Sequence, residues 1–225
     1  MLLRRNIYEE LKADIIACRL PPGTELREQE MTARHGVSRS PVRDALLRLE
    51  GEGLVMILPR QGYRVNAVSL EDARDLFRLR RLLEPEAARE AARHAGDADL
   101  ASLSRFSHWN DPASFIDYNR EFHCALAGLA RNRRLAASAM SLIEQADRLV
   151  RISLDSIKGR QPDQLVAEHA AIIDALQARD GSRAARLLRA HVIAAEARVL
   201  PALKRRAESD ATIQQPGQKT RGKRE

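Results

Sequence analysis

Apolar positions in the first third of the chain follow a helical period and then switch to short extended runs. Ile7, Leu11 and Ile15, with Tyr8 and Ile16 alongside, fall on one helical stripe that must stop before Pro21-Pro22-Gly23. A short second helix is predicted from about Glu28 to His35, ended by Gly36, a residue that tolerates positive φ. Ser38 is placed to cap a third helix, its hydroxyl accepting a free backbone N–H, and Pro41 falls in that helix's first turn, where a missing N–H costs little. Val42, Ala45, Leu46 and Leu49 repeat at i, i+3, i+4 and i+7 and form its buried face, and the "EGEG" run at 50–53 ends it. In "LVMILPRQGYRV" two apolar runs flank Pro59-Arg60-Gln61-Gly62, which predicts a β-hairpin with a basic, glycine-containing tip.

After "NAVSLED" the pattern turns helical and stays so to about Arg206. Breaks near Gly96-Asp97, Trp109-Asn110-Asp111-Pro112, Arg131-Asn132, 158–162 and Asp180-Gly181 imply about six helices. Residues 207–225 lack apolar periodicity and are expected to be a disordered tail. The predicted fold class is mainly α: a winged helix-turn-helix over 1–68, then an all-α antiparallel helical bundle over 69–206.

Hydrophobic residues are 44% of the 225, enough for a substantial core, while aromatics are only 4%. No run of 18 uncharged apolar residues exists, so no membrane span is expected, and "MLLRRNIYEELK" is too charged for a signal peptide. Cys18 and Cys124 follow no metal or redox spacing, and the simplest expectation is a reduced, cytoplasmic protein. The net charge of +7 divides as +2 over 1–68, +4 over 69–206 and +1 over 207–225. Positive charge is thus not concentrated on the predicted winged unit, and it supports nucleic-acid binding only as a background.

The helix-helix-hairpin order gives the third helix a reason for its polar face. In a winged helix-turn-helix the second helix of the pair enters the DNA major groove by its N-terminal end. Arg39 and Arg43 are one turn apart and face away from Leu46 and Leu49, and arginine can donate two bonds to guanine. Ser38 and Ser40 can donate to phosphate beside the free N–H groups of the first turn. Arg60, Gln61 and Gly62 form a wing tip that can lie along the minor groove or backbone, Gly62 allowing close approach. A plain solvated face, with the arginines pairing with Asp44 or Glu50, is the alternative; the coincidence of cap, proline, preceding helix and wing favours the groove.

In the second unit, Asn119 and His123 are four apart and share a helix face. His169 and His191 each stand 11 residues from Asp180, so in an antiparallel hairpin turning there they are level. Three nitrogens and one oxygen would suit a divalent ion such as Zn, Ni, Mn or Fe. Three satisfied core histidines are the competing reading, and spacing alone leaves the two evenly matched.

The segments "LPPGTEL", "GVSRSPVRDALLRLEGEGLV" and "PRQGYRV" together resemble the DNA-binding domain of the GntR family of bacterial transcription regulators. This resemblance implies base reading by Arg39 and Arg43 and backbone or groove contacts by Ser38, Ser40 and Gly62. The chain departs from the family's usual pattern at Met31-Thr32 and at Gln29. "NREFH", "EHAAIIDAL" and "LLRAHV" resemble the FCD effector-binding domain of the FadR subfamily, implying a metal site at Asn119, His123, His169 and His191, with neutral Asn119 where aspartate is commoner. Effector-binding roles are expected for Arg80, in "LRRLLEPEAA" with Glu84, and for Arg148 and Arg151, although Arg80–Glu84 reads equally as an i, i+4 surface pair and the other two as a solvated face. The expected function is a homodimeric repressor on an inverted-repeat operator, released by a small organic acid. A helical metalloenzyme fused to a DNA-binding module is the rival. Glu168 neighbours His169 but points about 100° away on a helix, so it leaves that rival without an evident general base. A structural DNA protein with little sequence preference is the third reading.

Overall fold

The computed structural model describes residues 2–109, 115–153 and 162–213, with side-chain surroundings from 7 to 208. The first unit comprises α1 (Leu2–Ile16), β1 (Glu25–Leu26), α2 (Glu28–His35), α3 (Arg39–Gly51), β2 (Val55–Leu58) and β3 (Gly62–Val65). The predicted stripes close on one another: Ile7, Leu11, Ile15, Val42, Leu46 and Leu49 are buried with Leu26 and Val65 in one core. Each such side chain contributes about 1.5–3 kcal/mol by leaving water. Gly36 adopts φ 63°, ending α2 in the left-handed conformation expected of it.

Three local expectations are revised. Ser38 occupies the cap position of α3, with φ −72° and ψ 170°, but its side chain makes no capping hydrogen bond. The hairpin is part of a three-stranded antiparallel sheet ordered β1-β3-β2, with Leu26 opposite Tyr63 and Leu58 opposite Gly62. That third strand also explains Gly62. At φ 116° a Cβ there would lie 2.7 Å from the Leu26 carbonyl oxygen, so β1 itself requires glycine whatever approaches the wing.

The second unit holds α4 (Leu70–His94), α5 (Asp97–Ser102), a 3₁₀ turn (Leu103–Phe106), α6 (Phe115–Gly128), α7 (Arg133–Ser153), α8 (Pro162–Gln177) and α9 (Gly181–Ile213). Ser69 caps α4 by accepting from the Asp72 N–H at 2.9 Å. Helix α4 packs along α9. Ala87, Ala88 and Ala91 line the core beside Phe122, Leu126, Ile172, Ile173 and Leu188, and their small size lets the helices approach. Asp180 begins α9, its carboxylate accepting the Arg183 N–H at 2.8 Å. The helix then runs to Ile213, past the expected end at Arg206, so the expected tail starts helical. Residues 214–225 lie outside the described residues, as do most of the predicted breaks at 109–112 and 158–162. Among the described residues no helix is long and apolar enough to cross a membrane.

Candidate DNA-reading surface and histidine pocket

The stripe that buries Val42, Leu46 and Leu49 turns the other face of α3 outward. Ser38, Arg39, Ser40 and Arg43 are exposed at its amino-terminal end, and Arg60 and Gln61 are exposed at the turn between β2 and β3. Arg60 holds φ 65°, so the wing tip takes its left-handed residue at an arginine as well as at Gly62. Arg39 has no hydrogen bond or ion pair among the described residues, while Arg43 is held by both carboxylate oxygens of Glu28 on α2, Nε at 2.9 Å and Nη2 at 3.2 Å. That clamp to α2 stands in place of the Asp44 or Glu50 pairing expected for a solvated face.

In the helical unit the level histidines meet. His123 (α6), His169 (α8) and His191 (α9) are all buried, and one ring nitrogen from each falls within 4.8 Å of the others. His123 Nε2 and His191 Nε2 are 3.2 Å apart. Each ring's other nitrogen has its own partner. His123 Nδ1 meets Glu84 Oε2 at 2.6 Å, His191 Nδ1 meets Glu168 Oε2 at 2.6 Å, and His169 Nδ1 lies 3.3 Å from the Tyr118 hydroxyl. The two carboxylates can only accept from a ring N–H, which assigns the proton to Nδ1 of His123 and of His191 and turns their Nε2 lone pairs inward. Burial pushes His123 down to about 4 against the pull of Glu84, and burial with the two neighbouring imidazoles pushes His169 well below its ordinary value.

Two inward lone pairs at 3.2 Å repel unless a cation lies between them. A Zn ion at about 2.0–2.1 Å from each of two tetrahedral ligands would space them about 3.3–3.4 Å apart. His169 Nε2 is buried with no hydrogen-bond partner. An orphaned ring nitrogen beside a facing pair, each ring with an outer partner, fits a metal better than three satisfied core histidines do.

Asn119 lines the adjoining cavity of about 70 Å³, together with His123, His191, Arg80, Asp147 and Arg198 over a floor including Phe77, Val150, Leu165 and Val199. Arg80 reaches this cavity, but not as a surface ion pair. Arg80 is 5% and Glu84 2% exposed, with Nε–Oε1 at 2.5 Å. Burial alone would raise Glu84, yet Arg80 and His123 hold it down at about 2. Glu168, expected to point away from the site, belongs to it: a 100° offset from His169 aims it at His191 on the next helix.

Two expected effector residues go elsewhere. Arg148 is buried and donates to the Asn66 carbonyl at 2.5 Å, on the strand-to-helix connection. Arg151 binds Asp147 at 2.9 Å and Asp117 at 2.6 Å and lines a separate cleft between α1 and α7. The missed pocket cation is Arg198, half-buried, its charged form disfavoured by that burial and supported by Glu168. Its signal was present in the sequence: it follows His191 by seven residues, two turns along one face of α9. Asp147, also missed, is pushed up to about 6 by burial despite Arg151.

Comparison with known proteins agrees with both halves. The family model "Bacterial regulatory proteins, gntR family" matches residues 3–65 and the "FCD domain" matches residues 75–194. The chain is 31% identical over 197 residues to the HTH-type transcriptional repressor RspR of Escherichia coli (strain K12), covering 84% of this chain and 86% of that protein. It is 27% identical over 199 residues to the HTH-type transcriptional repressor GlaR of the same organism, covering 83% and 90%. Among solved structures, E. coli McbR/YncC shares the fold with a TM-score of 0.76 at 21% identity, over 90% of this chain and 98% of that one.

Proposed function

Because the chain belongs to the GntR family of bacterial regulatory proteins and carries an FCD domain, we propose that this DNA-binding transcriptional regulator is a repressor of metabolic genes released by a small carboxylate. Its families and relatives are regulators and not enzymes, which removes the metalloenzyme reading. The FCD domain supports placement in the FadR subfamily.

In this reading a homodimer presents two copies of α3 to an inverted repeat, since two-fold protein symmetry calls for two-fold DNA symmetry. Arg39 and Arg43 donate to base edges, and Ser38 and Ser40 fix the helix on phosphates. Arg60 and Gln61 follow the adjacent backbone or minor groove. Glu28 holds the Arg43 guanidinium until the bases take over its donors.

His123, His169 and His191, with Asn119, would hold the divalent ion. When bound, such an ion supplies a Lewis-acidic point for carboxylate oxygens. Glu84 and Glu168 hold the His123 and His191 rings with their Nε2 lone pairs inward, and Tyr118 meets Nδ1 of the third ring. Arg198 offers a guanidinium to a second acidic group, and the apolar floor excludes water around the rest of the effector. Occupancy then biases the placement of the winged units.

The observation that carries this reading is the convergence of three imidazoles, each with an outer partner and one with an orphaned Nε2. Its test has two arms. Full-length protein is used to enrich duplexes from a random pool, and a thermal-shift screen of small carboxylates runs with Zn²⁺ and with EDTA. A recovered inverted repeat and an acid whose stabilisation vanishes in EDTA are expected. Failure to prefer any sequence, or acids that stabilise equally in EDTA, would overturn it.

A further inference from the structure

Helix α7 touches both functional regions. Asp147 and Val150 line the histidine cavity. One turn apart on the adjoining face, Glu144 and Arg148 reach into the winged unit. Glu144 binds Lys12 of α1 at 2.9 Å, and Lys12 also binds Glu52 at 3.2 Å. Arg148 donates to the Asn66 carbonyl at 2.5 Å, and Asn66 Nδ2 donates to the Gly53 carbonyl at 2.7 Å. Both chains therefore end at Glu52-Gly53, the residues that directly follow the recognition helix α3.

The end point is chemically unusual. Glu52 is the C-cap of α3, where a carboxylate faces the negative end of the helix dipole. It stays there because Lys12 pairs with it and the Tyr8 hydroxyl donates to it at 2.5 Å, while Arg48 of α3 stacks over the Tyr8 ring at 3.6 Å. Lys12 is drawn in from solvent, its side chain 20% exposed, and burial is outweighed by Glu144 and Glu52 so that its ammonium is held charged. Arg148 is more committed still: it is buried, and its Nε has no partner among the described residues, so the bond to Asn66 is what fixes its head.

We propose that Glu144 and Arg148 are positioning residues for operator binding, holding the carboxyl end of α3 to α7, and that α7 is the rod through which occupancy of the histidine cavity reaches the recognition helix. This rests on the regulator reading above for the operator itself; the link between α7 and α3 does not. Fixing the far end of α3 restricts the directions in which Arg39 and Arg43 point, and a helix already aimed loses less freedom on entering the groove.

The test uses full-length Glu144→Gln and Arg148→Met, with Arg89→Gln as a control that breaks an exposed pair, Arg89–Glu86, remote from α3. Amide exchange at residues 52–54 is expected to quicken at least about threefold in both seam variants and to be unchanged in the control. Affinity for a duplex enriched by the wild type is expected to fall at least about fivefold in both. Calorimetric Zn²⁺ affinity is expected to stay within about twofold of wild type, which separates a cut seam from a damaged fold.

Val150→Phe fills the cavity from α7 without any ligand. It is expected to change operator affinity in the wild-type background, and to lose at least half of that effect when Glu144→Gln and Arg148→Met are also present. Unchanged exchange at 52–54 in Glu144→Gln would overturn the positioning role, whether or not an operator is found. Additive effects of Val150→Phe would overturn the rod. If the exchange result holds while no duplex is enriched, the fault lies with the operator reading, and the physical link stands.

Discussion

Replacing Glu84 with glutamine keeps its volume and removes one charge from a fully enclosed site. In the native chain Oε1 accepts from Arg80 Nε at 2.5 Å and Oε2 accepts from His123 Nδ1 at 2.6 Å. Glutamine has one acceptor oxygen and one NH₂, so it can satisfy only one of those two donors. Arg80, 5% exposed, is then left without its counter-ion. Removing one partner of a buried ion pair costs about 3–5 kcal/mol. At roughly 2–4 °C per kcal/mol for a chain of this size, the melting temperature should fall by about 6–20 °C. His123 also loses the group that fixes its tautomer, which should weaken Zn²⁺ binding by about 10–100-fold. Differential scanning calorimetry and Zn²⁺ titration at pH 7 read the two effects separately. Arg80→Met added to Glu84→Gln should recover most of the stability, since the orphaned charge goes with it, yet recover none of the metal affinity. A melting temperature within about 2 °C of wild type, with Zn²⁺ affinity unchanged, would refute both the burial argument and the steering of the ring.

Other substitutions separate the two units. His169→Ala removes the orphaned Nε2 and should abolish the Zn²⁺-induced thermal shift while leaving duplex binding intact, measured by thermal shift and gel retardation. Arg43→Ala should weaken the selected duplex by about 1–3 kcal/mol, read by titration, and leave the Zn²⁺ shift untouched. Gly62→Ala forces a Cβ to within 2.7 Å of the Leu26 oxygen at φ 116°, so denaturant unfolding should show a loss of about 1–3 kcal/mol. Burial alone would raise Asp14, but hydrogen bonds from Arg19 and Arg34 lower it from 3.8. Its folded value is depressed, so its stabilisation is complete above 3.8 and fades as pH falls through that lower value. The stability gap between wild type and Asp14→Asn should therefore be widest near neutrality and close in acid.

The legible parts of this chain are those whose physics is local. A 3.6-residue stripe, a glycine after a helix and two histidines equidistant from a turn each constrain their own neighbourhood, and the structure follows them. Arg80 and Glu84 show where locality ends. An i, i+4 pair has the same spacing on a surface as in a core, and only the arrival of α6 with His123 decides which. Glu168 is hidden for a related reason: its angle from His169 is a property of α8 alone, whereas its partner comes from α9. Arg148 and Arg151 sit on the face of α7 that meets the first unit, and no pattern within α7 says which neighbour each face will meet. The strand β1 is two residues long, too short for any alternation, and is specified by the glycine it packs against.

The proposed metal site has an unusual charge balance, and that balance ties its parts together. The four proposed ligands would be neutral: three imidazoles and the Asn119 amide. Glu84 is a carboxylate, but Arg80 already answers it; Asp147 is held by Arg151, and Glu168 has Arg198 beside it. A divalent ion therefore brings its whole charge into a buried space with little compensation, which low-dielectric surroundings penalise. An organic acid would supply the missing negative charge at the ligand positions, and Arg198 would offer its guanidinium to a second carboxylate. Ion and acid would then relieve each other's desolvation, so each would tighten the other's binding by the same factor. With aspartate at 119 part of that dependence would disappear, because the protein itself would neutralise the ion. In the proposed function the amide at 119 would thus make the site respond to the two together, as a reporter of the acid and not of the metal would.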